Sequence, residues 1–141
     1  MSGYPLTDDH TMRSLLKTAK IIAVVGLSDK PDRPSHGVGR YMQAHGYSII
    51  PVNPRIHEAL GVPAVASISQ IPCQIDIVNV FRQPHEAPAV VEEAIAHGAK
   101  AVWMQLGVVN EFAYKRALEA GLTVIQDRCI LIEHQRLIGN G

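Results

Sequence analysis

Several functional classes are excluded by what this chain has little of. It has only two cysteines in 141 residues, Cys73 and Cys129, far apart and in apolar surroundings. That usage fits reduced thiols better than a disulfide framework. Charge of one sign is missing as well: thirteen basic and thirteen acidic side chains cancel. No broad field is left to hold a nucleic-acid backbone or an anionic membrane, so any anion site must be local. No run of about 18 apolar residues is present to span a bilayer, and residues 1–20 lack the apolar segment of a secretion signal. The expected compartment is the cytoplasm. The seven histidines are scattered and form no close His/Cys cluster of the kind that binds zinc.

What is present is a soluble composition, 47% hydrophobic and 18% charged, of a length expected to form one domain over residues 1–141. Strand-like and helix-like stretches alternate. Apolar runs at 21–25, 48–52, 75–81, 101–105 and 123–126 are expected as strands, and 38–45, 84–97 and 111–120 as helices. Thr7 is expected to cap a first helix that runs to about Ala19. The later helices stop at Gly46, Gly98 and Gly121, where glycine supplies a left-handed cap. Strands without polar alternation are buried on both faces, which requires a parallel sheet covered by helices on both sides. The expected fold class is therefore α/β, a doubly wound sheet of about five parallel strands. Between residues 55 and 72 the pattern weakens to a short extended piece around Leu60-Gly61-Val62-Pro63 and a helical turn at 67–70.

In such a sheet ligands bind beyond the carboxyl ends of the strands. The first strand runs into Gly26, Leu27 and Ser28. After a polar excursion over 29–36 comes Gly37-Val38-Gly39-Arg40, expected at the mouth of the next helix, where glycines let an anion approach backbone amides. The excursion is too long for the Gly-x-Gly-x-x-Gly dinucleotide fingerprint. The second strand ends in Val52-Asn53-Pro54-Arg55. An NAD site usually places a carboxylate there for the ribose hydroxyl. Asn53 and Arg55 suit a ligand with an additional ribose phosphate instead, and coenzyme A has one. Pro54 offers a rigid face to an adenine, and Arg55 a fork of donors to phosphate. Val80-Phe81-Arg82 at the third strand end is either groove or core. Gln105, ending a buried run, is expected to face the crevice or a backbone amide. Asp127 and Arg128 are expected as a local ion pair, Cys129 is either a reactive thiol or a small buried hydrophobe, and His134 reads as a surface or partly buried residue.

These residues resemble the small stand-alone CoA-binding proteins, akin to the N-terminal CoA-binding domain of the succinyl-CoA synthetase alpha subunit. The resemblance spans about residues 20–137. It rests on Val25-Gly26-Leu27-Ser28, Gly37-Val38-Gly39, Val52-Asn53-Pro54-Arg55 and Leu60-Gly61-Val62-Pro63 leading to Ser67. It continues through Ile71-Pro72, Asp76, Val80-Phe81-Arg82 and Asp127-Arg128-Cys129. It implies a Rossmann-like CoA site. Gly26, Ser28 and residues Gly37, Val38, Gly39 and Arg40 would meet the phosphates. Val52, Asn53, Pro54 and Arg55 would hold the adenosine 3′-phosphate end, and Val80, Phe81, Arg82 and Gln105 would flank the rest. The excursion over 29–36 departs from the shorter loop of the synthetase.

The phosphohistidine domain of the synthetase has no counterpart in these residues, and no nucleophile elbow, Walker lysine or paired-carboxylate signature is visible. The expected function is binding of CoA or an acyl-CoA as a carrier, sensor or partner subunit, with no nucleic acid or membrane partner. Two partner arrangements stay open, a homo-oligomer and a ligase-type partner chain. The alternatives are an NAD(P)-binding regulatory domain and a subunit of a multi-chain acyl-CoA ligase.

Overall fold

The computed structural model describes residues 7–139. Helix α1 (Asp9–Thr18) leads into β1 (Ile21–Val25), α2 (Pro34–Ala44) and β2 (Ser48–Val52). A small antiparallel hairpin follows, β3 (Glu58–Ala59) and β4 (Val62–Pro63), and then a 3-10 turn at Ile68–Gln70. The chain continues through β5 (Ile77–Val80), α3 (Ala87–His97), β6 (Ala101–Met104), α4 (Glu111–Glu119), β7 (Thr123–Ile125) and α5 (Ile130–Leu137). The main sheet is parallel throughout, in the order β2-β1-β5-β6-β7.

Strand residues alternate between two cores. Ile22, Val24, Ile77, Trp103 and Ile125 pack with Met12, Leu16, Met42 and Ile130 from α1, α2 and α5. Ala23, Val25, Val78, Val80, Val102 and Val124 pack on the opposite face with Val90, Val91, Ala113 and Ala117 from α3 and α4. Burial on both faces explains why these strands read as unbroken apolar runs. The order reverses between β1 and β5: the chain leaves β1 toward β2 on one side and returns to β5 on the other. The two carboxyl ends diverge there and open the crevice where sheets of this kind bind ligands.

Gly46, Gly98 and Gly121 have φ of 97°, 81° and 88°, as their place after helices requires. Several boundaries differ from expectation. The strands expected at 75–81, 101–105 and 123–126 are shorter, at Ile77–Val80, Ala101–Met104 and Thr123–Ile125, although the Phe81 and Gln105 amides still donate to Val25 and Val80 of the neighbouring strands. Asp8, rather than Thr7, caps α1, accepting the Thr11 amide at 2.8 Å, while the Thr7 hydroxyl donates to the Val124 carbonyl. The helix expected at Val38 begins at Pro34, since proline fits the first helical position and Arg33 is extended before it. The helix expected from Pro84 opens as a 3-10 turn at Pro84–Glu86. Helix α5 is not among the expected elements, although Ile130, His134 and Leu137 fall on one face and Gly139, at φ 77°, follows its last turn.

Candidate functional site

The ends of β1 and β5 approach closely because of one missing side chain. Gly26 has φ +92°, and a Cβ built on it would lie 2.1 Å from the Phe81 carbonyl oxygen. Its amide donates to the Val52 carbonyl at 2.9 Å, so three strand ends meet at Gly26. Beyond it the loop is ordered by its own polar groups. The Ser28 amide donates to Ser35 Oγ at 3.0 Å, and Ser28 Oγ accepts the Lys30 amide at 3.1 Å.

Asn53 ties this loop to the end of β2. Its Nδ2 donates to the Leu27 carbonyl at 3.0 Å and its Oδ1 accepts the Arg55 amide at 2.9 Å. An aspartate lacks the donor for the first of these bonds. Asparagine is therefore required by the loop itself, a reason independent of which ribose is recognised.

Between these loops lies a cleft of about 630 Å³. Gly26, Ser28, Ser35 and Phe81 form its base and walls, and Lys30, Arg33 and Arg55 contribute cations against one acidic residue, Asp29. In a chain of zero net charge this is a local concentration of positive charge.

Of the residues expected at the site, Gly26, Ser28, Arg55 and Phe81 line this cleft. Pro54 is exposed beside Arg55. Gly37, Val38, Gly39 and Arg40 are not at a helix mouth. They lie inside α2 and outside the cleft lining. The Gly37 amide is engaged by the Arg33 carbonyl. A Cβ on Gly39 would sit 3.1 Å from Leu60 Cδ1 and 3.3 Å from Leu27 Cδ1, so its smallness serves packing. Val38 packs against the core, and Arg40 is exposed. Val80 is wholly buried and Val52 nearly so, the latter touching a smaller cavity of about 230 Å³ on the α3 face.

Arg82 borders that smaller cavity and a third, of about 420 Å³, between the ends of β5 and β6. Gln105 reaches the edge of the third cavity but is 4% exposed. Its Oε1 accepts the Ile130 amide at 3.1 Å and Asn79 Nδ2 at 3.2 Å. Asp127 does not pair with Arg128; its carboxylate accepts the Gly107 amide at 2.8 Å. Cys129, partly buried, stands at the N-cap of α5. His134 is 3% exposed, not at the surface, and its Nδ1 is 2.8 Å from the Tyr41 hydroxyl. Pro34, Ser35 and Ile56 join the cleft without being among the expected site residues. The Arg33-Pro34-Ser35 step is the signal that locates Ser35, since a proline at the first helical position puts the next residue in the first turn.

The family model for the CoA binding domain matches residues 20–135. The chain belongs to that family. It is 54% identical over 123 residues to an uncharacterized protein, YneT, of Bacillus subtilis, covering 87% of this chain and 91% of that one. A hypothetical protein from Pyrococcus horikoshii has a solved structure that superposes with a TM-score of 0.92 at 40% identity, covering 99% of this chain and all of the other. An ADP-forming acetate–CoA ligase of Archaeoglobus fulgidus is 27% identical over 74 residues, which are 52% of this chain and 11% of the enzyme. This CoA binding domain thus has close relatives of its own length and a more distant one inside a much longer ligase. Among its described residues no helix is long and apolar enough to cross a membrane.

Proposed function

We propose that this chain binds coenzyme A or an acyl-CoA as a stand-alone module, with the nucleotide end in the cleft between β1 and β5. The observation that carries the reading is the meeting of Lys30, Arg33 and Arg55 over the carboxyl ends of β1 and β2, beside the switch point of the sheet, in a member of the CoA binding domain family. Coenzyme A carries a pyrophosphate and a 3′-phosphate. Arg55 is assigned to the 3′-phosphate, and the Ser28–Ser35 corner with Lys30 and Arg33 to the pyrophosphate. Backbone amides, a hydroxyl and cations are the groups that hold phosphate.

Titration calorimetry of the protein and its Arg55→Ala variant with CoA, dephospho-CoA and NAD tests the reading. Arg55 is solvent-exposed, so the expected loss of CoA affinity is about tenfold, the low end for a charge-assisted contact. Dephospho-CoA should lose almost nothing, because the contact it lacks is the one removed. Equal losses for both ligands would move Arg55 to another role. Tighter binding of NAD than of CoA would overturn the reading itself.

A second reading, a subunit of a multi-chain acyl-CoA ligase, draws support from the match to the Archaeoglobus ligase. Co-purification with a separate ATP-binding chain is its test.

A further inference from the structure

The cavity of about 420 Å³ between the ends of β5 and β6 is not needed for the nucleotide. Phe81 lines both this cavity and the cationic cleft, so the two adjoin at one residue. Their chemistry differs. The first gathers three cations; the second has Arg82 with Glu86, and apolar walls from Phe81, Pro84, Leu106 and Val108. CoA has the same asymmetry, with all its phosphates at one end and a neutral arm bearing the thiol at the other.

The segment that closes the second cavity leaves large apolar groups in solvent. Leu106, in the lining, is 63% exposed, and Val109 and Phe112, just beyond the lining residue Val108 in the same short loop and the first turn of α4, are 47% and 69% exposed. Isolated exposed apolar residues need no explanation, but three within seven residues, starting in a cavity's lining, point to an interaction site. The loop that displays them is pinned in place. The Gly107 amide donates to Asp127, the Asn110 amide to Gln126 Oε1 at 3.2 Å, and Asn110 Nδ2 to the Pro84 carbonyl at 3.0 Å. Asn110 Oδ1 also caps α4 through the Ala113 amide.

We infer that the second cavity receives the thiol end of the ligand and that the rim of Leu106, Val109 and Phe112 binds an aliphatic acyl chain carried on it as a thioester. The inference rests on the CoA reading of the first cleft and adds the class of acyl group. A free carboxylate on the acyl group would meet one cation, Arg82, in a lining that also holds Glu86, and an apolar rim. Dicarboxylic acyl groups are therefore disfavoured relative to alkyl chains of the same length.

Calorimetry with CoA and with acetyl-, butyryl-, hexanoyl-, octanoyl- and succinyl-CoA tests this on the unaltered protein. Affinity should rise with chain length by up to about fourfold per methylene that reaches the rim. Butyryl-CoA should bind more tightly than succinyl-CoA. In the Val109→Ser/Phe112→Ser variant the ratio of octanoyl-CoA to CoA affinity should fall toward one. A flat chain-length series with CoA binding intact overturns this inference alone, as does succinyl-CoA binding better than butyryl-CoA. A variant that changes a dimer to a monomer while keeping the full chain-length dependence would assign the rim to a second copy and overturn it too. If neither CoA nor any acyl-CoA binds, the reading of the first cleft falls and takes this inference with it.

Discussion

Gly26, Gly37 and Gly39 look alike in the sequence and stand in three different surroundings. Gly26 combines a left-handed φ with a 2.1 Å approach of its missing Cβ to the Phe81 carbonyl oxygen. Gly26→Ala therefore incurs backbone strain and a backbone clash together, and urea denaturation should show a loss of about 3 kcal/mol or more. At Gly37 nothing lies within 4 Å of an added Cβ, and the residue is helical. Gly37→Ala should stabilise the protein by up to about 1 kcal/mol through helix propensity. Since Gly37 is outside the cleft, the same variant should bind CoA within twofold of the parent. A larger loss of affinity in a folded Gly37→Ala protein would return this residue to the phosphate site. Gly39 stands between: its Cβ would press on the ends of two leucine side chains, which can shift. Such differences depend on what crosses a residue in space, and local sequence does not contain them.

At the scale of elements, the central strands were legible because burial on two faces leaves a run of apolar residues that no other element imitates. Their ends were less so. Asp76 and Gln105 read as strand termini but belong to hydrogen bonds with other segments. The start of α2 is marked by Pro34, whose fixed φ and absent donor suit a first turn, and not by the glycine pair that lies inside the helix. Helix α5 has a periodic buried face in Ile130, His134 and Leu137 but only eight residues, and contacts from outside hold it: Arg136, paired within the helix to Glu133, also reaches Asp9 of α1, and Trp103 Nε1 donates to the Arg128 carbonyl at 2.9 Å just before it. The buried triad of Asn79, Gln105 and the Ile130 amide anchors its first turn to β5 and β6. Replacing Gln105 with methionine conserves length and apolar bulk but leaves the Ile130 amide and the Asn79 donor without their acceptor. The expected cost is about 1–3 kcal/mol, read from the denaturation midpoint. Loss of amide-exchange protection should appear first in α5. Equal loss of protection across the whole sheet would show that α5 does not open as a separate unit.

Over the whole molecule, the site was legible as a place and less so as a set of residues. Alternation of strand and helix was enough to put function at the carboxyl edge, but the cations there come from two loops, after β1 and after β2, that the parallel pairing of those strands sets side by side. The same long-range assembly makes the stability of the protein depend on pH through two groups distant in sequence. Burial raises the Asp76 carboxyl, but the amides of Ile21 and Lys20 and the Lys100 ammonium at 3.3 Å outweigh it and leave it below its ordinary value of 3.8. His134 lies under α2, where burial and then the neighbouring His45 push it below its ordinary 6.5. In both cases the unfolded chain takes up the proton first as pH falls, so both contributions are complete above the unfolded values and decline below them. Stability should be level from pH 8 to about 6.5, fall through a first step as His134 opposes protonation, and fall again below 3.8 as Asp76 does. Urea midpoints measured from pH 8 to 3 give the profile. His134→Phe forfeits the Tyr41 hydrogen bond and lowers the whole curve, yet it should also flatten the step that begins at 6.5. A variant that keeps that slope would assign the step to another of the seven histidines. Asp76→Asn should reduce the acid limb and leave the step at 6.5 alone, since an amide oxygen still accepts a backbone N–H and has no proton to take up in this range; what is left of the limb belongs to Asp8 and Asp9, held below the ordinary value by hydrogen bonds from Thr11 and Arg136.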